Sequence, residues 1–168
     1  MDKQNDKDEF VQLIQEHKGI IFKICNSYCR NNSHREDLAQ EIVYQLWRSY
    51  AQFSANYKFS TWMYRIALNT AISFYRKEKK GNAFAPITEH LVEIKEIETG
   101  HETEKNILLL QQFINELKDL DKALMLLYLE EKSYNEIAEI IGISETNVAT
   151  KIGRIKTILK QKFSQITV

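Results

Sequence analysis

One proline, two cysteines and five glycines are all that this chain of 168 residues holds of the types that most often punctuate or staple a fold. The proline, Pro86, falls together with Gly81, Asn82 and Gly100 between residues 81 and 101, a composition typical of a linker. The cysteines, Cys25 and Cys29, stand four apart in an apolar helical stretch and could share a metal with His17 or His34. No second Cys/His pair at finger spacing accompanies them, so small buried residues in a reducing compartment are the better reading. No run of about 18 apolar residues exists, which argues against a transmembrane helix. The first nine residues are charged and lack an apolar signal core, making a cytoplasmic protein the default. There is also no strand pattern of useful length and no internal repeat. H-E-x-x-H, G-x-S-x-G and a phosphate-cradling glycine loop are all missing, so nothing supports an enzyme built on His17, Cys25, Cys29 or His34.

What is present is an ordinary mixture of 43% hydrophobic and 27% charged residues, enough apolar material for a core. Net charge is zero, but it is segregated. Residues 1–80 hold 13 Lys/Arg against 9 Asp/Glu, residues 81–121 hold 3 against 9, and residues 122–168 hold 7 against 5. An acidic centre between basic flanks suggests two polyanion-binding modules joined by a segment that itself resembles a polyanion; a solvated acidic linker reads the same way.

The pattern is helical throughout. Phe10, Leu13, Ile14, Ile21, Ile24 and Tyr28 recur at helical spacing up to about Arg30. Ser33 and Glu36 form a capping box that opens a second helix running to about Tyr50, with Leu38, Ile42 and Leu46 inward. Ser60 or Thr61 caps a third helix, reaching about Lys80. After the linker, helical spacing returns from about Glu102, and another helix spans roughly Asp121 to Leu129.

Ser133 to Val148 then read as a helix-turn-helix. Ser133 and Glu136 make a second capping box, and Ile137, Ala138 and Ile141 give the first helix an apolar face. Ala138 is small where helices must cross closely, Gly142 permits the tight turn, Ile143 plugs the core and Ser144 caps the second helix. Val148, Ile152, Ile155 and Leu159 face inward on that helix, leaving Glu145, Asn147, Thr150, Lys151 and Arg154 outward, where a major groove would lie. An ordinary helical hairpin with a polar face is the alternative.

Two more faces stand out. Trp62, Arg65, Asn69, Ser73, Arg76 and Lys80 form one stripe of the third helix, thickened by Lys77 and Lys79. Cations beside aromatics suit an unpaired nucleic acid strand, though Trp62 and Tyr64 could equally be core. On the second helix Asp37, Gln40, Glu41 and Tyr44 share a face suited to a basic protein partner, or simply to solvent near a helix N-terminus.

Taken together, these stretches resemble a bacterial RNA polymerase sigma factor of the small extracytoplasmic-function type. Asp37-Leu-Ala-Gln-Glu-Ile-Val-Tyr-Gln-Leu-Trp47 is similar to the family's D-x-x-Q-E-x-F-x-x-x-W docking helix, with Val43 where phenylalanine is frequent. Phe59-Ser-Thr-Trp-Met-Tyr-Arg-Ile-Ala-Leu-Asn69 is similar to its F-x-x-W-L-Y-R-I-A-x-N helix, which helps melt and read the −10 element. Ser133 to Ser144 resemble its region-four helix-turn-helix, which reads the −35 element. Asn147-Val-Ala-Thr-Lys151 departs from the family's frequent Thr-Val-x-Ser-Arg, and Gly153 stands mid-helix where a larger residue is common.

The resemblance implies an all-α fold: a region-two-like domain over 8–80, an acidic linker over 81–103 and a region-four-like domain over 104–168. It implies that Asp37, Gln40, Glu41, Tyr44 and Trp47 engage the β′ clamp helices of core RNA polymerase. It assigns the opened −10 strand to Lys58, Trp62, Arg65, Asn69, Arg76, Lys77 and Lys80, and the −35 groove to Glu145, Asn147, Thr150, Lys151 and Arg154. The linker would thread toward the RNA-exit path. Partners would be core polymerase and promoter DNA, and an anti-sigma factor is common in the family. No catalytic residue, cofactor, metal or small-molecule substrate is implied. A stand-alone helix-turn-helix regulator is the competing reading; it predicts DNA binding without polymerase and a symmetric operator.

Overall fold

The computed structural model describes residues 3–81 and 102–166. Among the described residues there are eight helices and no strand: α1 (Lys3–Glu16), α2 (Lys18–Tyr28), α3 (Asn32–Tyr50), α4 (Phe59–Gly81), α5 (Glu102–Asn115), α6 (Asp119–Leu129), α7 (Tyr134–Ile141) and α8 (Glu145–Ile166). The fold is all-α, as expected. The expected linker, 81–103, lies almost wholly outside the described residues: only Gly81, at the end of α4, and its last two positions, at the start of α5, are seen.

The first four helices pack around Ile21, Ile24, Leu38, Ile42, Leu46, Met63 and Leu68, all of them buried. Small residues at Ala67 and Ala71, one turn apart on α4, keep that helix close to its neighbours α2 and α3. The last four enclose Phe113, Leu124, Leu127, Ile137, Val148, Ile152, Ile155 and Leu159. Each fully buried aliphatic side chain contributes roughly 1.5–3 kcal/mol relative to exposure. The two halves also touch: α4 lies against both α6 and α7.

Several local details differ from the sequence expectation. The first stripe is not one helix to Arg30 but two, broken at His17 (φ −110°, ψ 12°) and ended at Cys29. There the His17 N–H and its Nδ1–H both reach the Leu13 carbonyl, at 3.1 and 3.0 Å, so the chain turns without a proline. The cap of α3 is Asn31, whose side chain accepts from the Ser33 N–H at 2.9 Å; Ser33 is already helical. In α4 the first intrahelical bond runs from Trp62 N–H to the Lys58 carbonyl, which puts Ser60 and Thr61 inside the first turn. On α7 Ile140 is buried along with the expected Ile137 and Ala138, while Ile141 is half-buried against the core; α4 and α6 both pack on this helix.

The turn from α6 to α7 carries a feature with no sequence signal. Lys132 N–H bonds to the Leu127 carbonyl and Glu131 N–H to Tyr128, a closing pattern that needs a left-handed residue. That residue is Glu131, at φ 58°.

Candidate nucleic-acid interface

The helix-turn-helix forms from its own caps. Ser133 Oγ accepts from Glu136 N–H at 3.1 Å while Ser133 N–H donates to Glu136 Oε2 at 2.9 Å, closing the capping box. That backbone bond, helped by Lys132 and Lys58, holds the Glu136 carboxyl below its usual range. Gly142 takes the left-handed conformation (φ 81°, ψ 35°) that the turn requires, and Ser144 Oγ accepts from Asn147 N–H at 3.1 Å to start α8. Val148, Ile152, Ile155 and Leu159 are buried. Glu145, Asn147, Thr150 and Arg154 are exposed and Lys151 is half-buried; helical spacing puts Asn147, Thr150, Lys151 and Arg154 on one face opposite the buried stripe, while Glu145 stands off that face at the start of α8. Thr150 spends its hydroxyl proton on the Thr146 carbonyl at 3.0 Å, leaving that oxygen to act as an acceptor.

On α3, Asp37, Gln40, Tyr44 and Trp47 are exposed. Glu41, expected to be exposed, is half-buried and accepts from Gln45 Nε2 at 2.8 Å, an intrahelical partner the sequence spacing allowed but did not require. Gln40, Tyr44 and Trp47 border a groove of about 560 Å³ whose other walls are Phe10, Val11, Lys7, Ala39 and Val43. Phe10 meets Trp47 edge-on, with ring centroids 5.0 Å apart. The contribution of α1 was not anticipated. Val11, exposed and off the buried stripe of its helix, was the available signal.

The α4 stripe is divided. Trp62 is half-buried among Phe53, Phe59 and Tyr50, with centroids at 5.2, 5.3 and 6.4 Å. Asn69, Lys77 and Lys80 are exposed. Arg65, Arg76 and Lys58 instead reach across to the second half. Arg65 Nη2 donates to the Glu139 carbonyl at 2.6 Å, Arg76 Nε to Asp119 Oδ2 at 3.2 Å, and Lys58 Nζ stands 4.0 Å from Glu136 Oε1. Sequence reading also missed Lys122, which is buried on α6 between the rings of Tyr28 and Tyr75, at 5.2 and 5.3 Å. Burial lowers its ammonium below the ordinary range, with Asp119 opposing.

The remaining candidates do not converge. Cys25 and Cys29 are buried, and burial chiefly pushes both thiols up to about 11. His34 pairs with Glu78 at 3.0 Å, and His17 rests on Phe59. Among the described residues no three metal-ligating side chains come together, and no helix is long and apolar enough to cross a membrane.

Comparison with known proteins places these surfaces in a family. Residues 13–81 match the model of Sigma-70 region 2, and residues 107–159 match that of Sigma-70, region 4. The ECF RNA polymerase sigma factor SigW of Bacillus subtilis (strain 168) is 30% identical, over 98% of this chain and 94% of its own length. In fold the chain is similar to CnrH, solved in complex with the cytosolic domain of CnrY (TM-score 0.67, 18% identity, 95% of this chain and 90% of that one). It is similarly close to the sigma factor RpoE, solved with the anti-sigma factor NepR from Bartonella quintana (TM-score 0.66, 16% identity, 96% and 98%). The chain therefore belongs to the extracytoplasmic-function sigma factors, which direct promoter-specific initiation by RNA polymerase.

Proposed function

We propose that this sigma factor docks on core polymerase through the α1–α3 groove and reads its promoter through α4 and α8. The observation that carries the docking assignment is the groove itself. Tyr44 and Trp47 leave 56% and 44% of their surface in water beside a nearly unbroken apolar floor, while Asp37 and Gln40 offer polar contacts at its edge. Aromatic residues at an apolar centre with polar groups around it are what a specific protein interface needs. Phe10 and Val11 join Asp37, Gln40, Glu41, Tyr44 and Trp47 in this surface, and its partner is the β′ clamp helices.

For DNA, Lys58, Trp62, Arg65, Asn69, Arg76, Lys77 and Lys80 serve the opened −10 strand. Glu145, Asn147, Thr150, Lys151 and Arg154 meet the −35 major groove, where Lys151 offers a point charge rather than the planar fork of arginine. The domain limits follow at 8–80 and 104–168, with 81–103 as the acidic connection toward the RNA-exit path. The chain acts in the cytoplasm and performs no catalysis of its own. The neighbours solved with CnrY and with NepR support an anti-sigma partner for this chain as well.

The test is a pull-down of the full chain with bacterial core RNA polymerase, followed by run-off transcription on fragmented genomic DNA. Stable association with new, promoter-specific transcripts is the expected result. DNA binding by the chain alone, with no association with polymerase, refutes the docking assignment.

A further inference from the structure

A second cleft, of about 320 Å³, opens where α1 meets α2, against the start of α4 and the turn from α6 to α7. It shares no residue with the docking groove, and none of its walls belongs to the surfaces assigned above to DNA. Its size suits a ligand no larger than a small metabolite. Tyr64 is the wall that calls for one. It is 3% exposed, yet its hydroxyl makes no hydrogen bond among the described residues. No fully enclosed side-chain oxygen or nitrogen among those residues lacks a partner, so this hydroxyl reaches the cleft.

Two further donors stand beside it. Ser60, one turn earlier on α4, is half-buried, and its hydroxyl has no partner among the described residues. The Lys132 ammonium lies 5.6 Å over the Tyr64 ring and likewise has no hydrogen-bond acceptor among them. Burial, and then the Glu130 carboxylate, pushes Tyr64 up to about 12, so its hydroxyl stays protonated. The acceptors come from elsewhere. His17 gives its Nδ1–H to the Leu13 carbonyl at 3.0 Å, which leaves Nε2 open. Glu16 takes the Gln12 amide at 3.1 Å on one oxygen and keeps the other open. Glu130 is already paired with Lys23. Two lysines and two glutamates thus balance around the cleft, which disfavours a polyanion.

We propose that this cleft binds a small zwitterion of amino-acid or dipeptide size, its carboxylate held by Tyr64, Ser60 and Lys132 and its ammonium by Glu16. A bare carboxylate leaves the open Glu16 oxygen without a partner, and an amine alone leaves three donors unused. An apolar ligand desolvates all of these groups at a cost and returns no hydrogen bond. Ile20, half-buried at the same cleft, offers apolar surface to a ligand side chain. The site is independent of the docking and promoter assignments, which rest on other residues.

The experiment is a calorimetric titration of the full chain, without polymerase or DNA, so its failure leaves the sigma-factor reading untouched. The probes are alanine, leucine and dialanine, with acetate and methylamine as the two half-ligands. At least one zwitterion should bind saturably at a single site, with each half-ligand weaker by on the order of tenfold. Tyr64→Phe should weaken that binding by about tenfold while the free chain melts no lower, because it removes a hydroxyl that no protein group uses. Lys132→Gln should weaken it by a similar or larger factor, since a charged donor is lost. No saturable binding by any of the three zwitterions, equal binding by acetate, or full affinity in Tyr64→Phe overturns the proposal. So does a lower melting temperature for free Tyr64→Phe, since the hydroxyl is then serving the fold.

Discussion

Replacing Tyr44 with alanine should weaken polymerase docking while leaving the fold nearly untouched. The Tyr44 side chain is 56% exposed on the groove wall, so the folded chain itself gains little from it. An aromatic side chain buries roughly 150–250 Å² when fully covered, so about 100 Å² remains for a partner to cover. At about 25 cal/mol/Å² that area corresponds to about 2.5 kcal/mol, or about 70-fold in affinity. Ordering and imperfect complementarity take back part of it, leaving an expected loss of about 10- to 70-fold. The measurement is a titration of labelled chain with core polymerase, paired with a thermal melt. Trp47→Ala makes a useful contrast, because Trp47 also packs on Phe10 and should cost stability as well as affinity. If Tyr44→Ala binds core polymerase as tightly as the parent, the groove is not the docking surface and the argument fails.

Arg154→Ala should reduce −35 recognition by about 1–3 kcal/mol with the melting temperature unchanged, read as competition between promoter variants; unaltered preference would remove it from base readout. Glu131→Gly should raise the unfolding free energy by about 1 kcal/mol. Relief of a left-handed β-carbon penalty of about 1–2 kcal/mol exceeds the extra chain entropy of glycine, and a lower urea midpoint would refute this. The carboxyl of Glu136 is held below its ordinary value of 4.5, so its share of stability is present above that value and lost as the pH falls through the folded one. Glu136→Gln should flatten that acid-side slope, and an unchanged pH profile would show that the capping box does not carry it.

Local chemistry made much of this chain legible. Ser133 with Glu136, Gly142 and Ser144 are short-range signals, and each acts in the structure within four residues of where it stands. The inward stripe of Val148, Ile152, Ile155 and Leu159 was legible for the same reason. What escaped depends on groups distant in the chain, or on a choice between near-equivalent neighbours. Lys122 looked like one more helix cation, because its aromatic seat comes from Tyr28 and Tyr75. Ile140 is buried in addition to the face of Ile137, Ala138 and Ile141, on a helix that both α4 and α6 contact. Asn31 and Ser33 are both good caps, and the winner was set by which backbone took the extended conformation. The break at His17 had no proline to announce it.

The buried thiols of α2 and its end carry a consequence for signalling. Burial pushes the Cys25 and Cys29 thiols up to about 11, which disfavours the thiolate, the form that reacts with peroxides and disulfides. An oxidant reaching this protein meets a chemically silent pair. In the folded chain neither thiol has the exposed, thiolate-favouring setting that a peroxide-sensing cysteine needs.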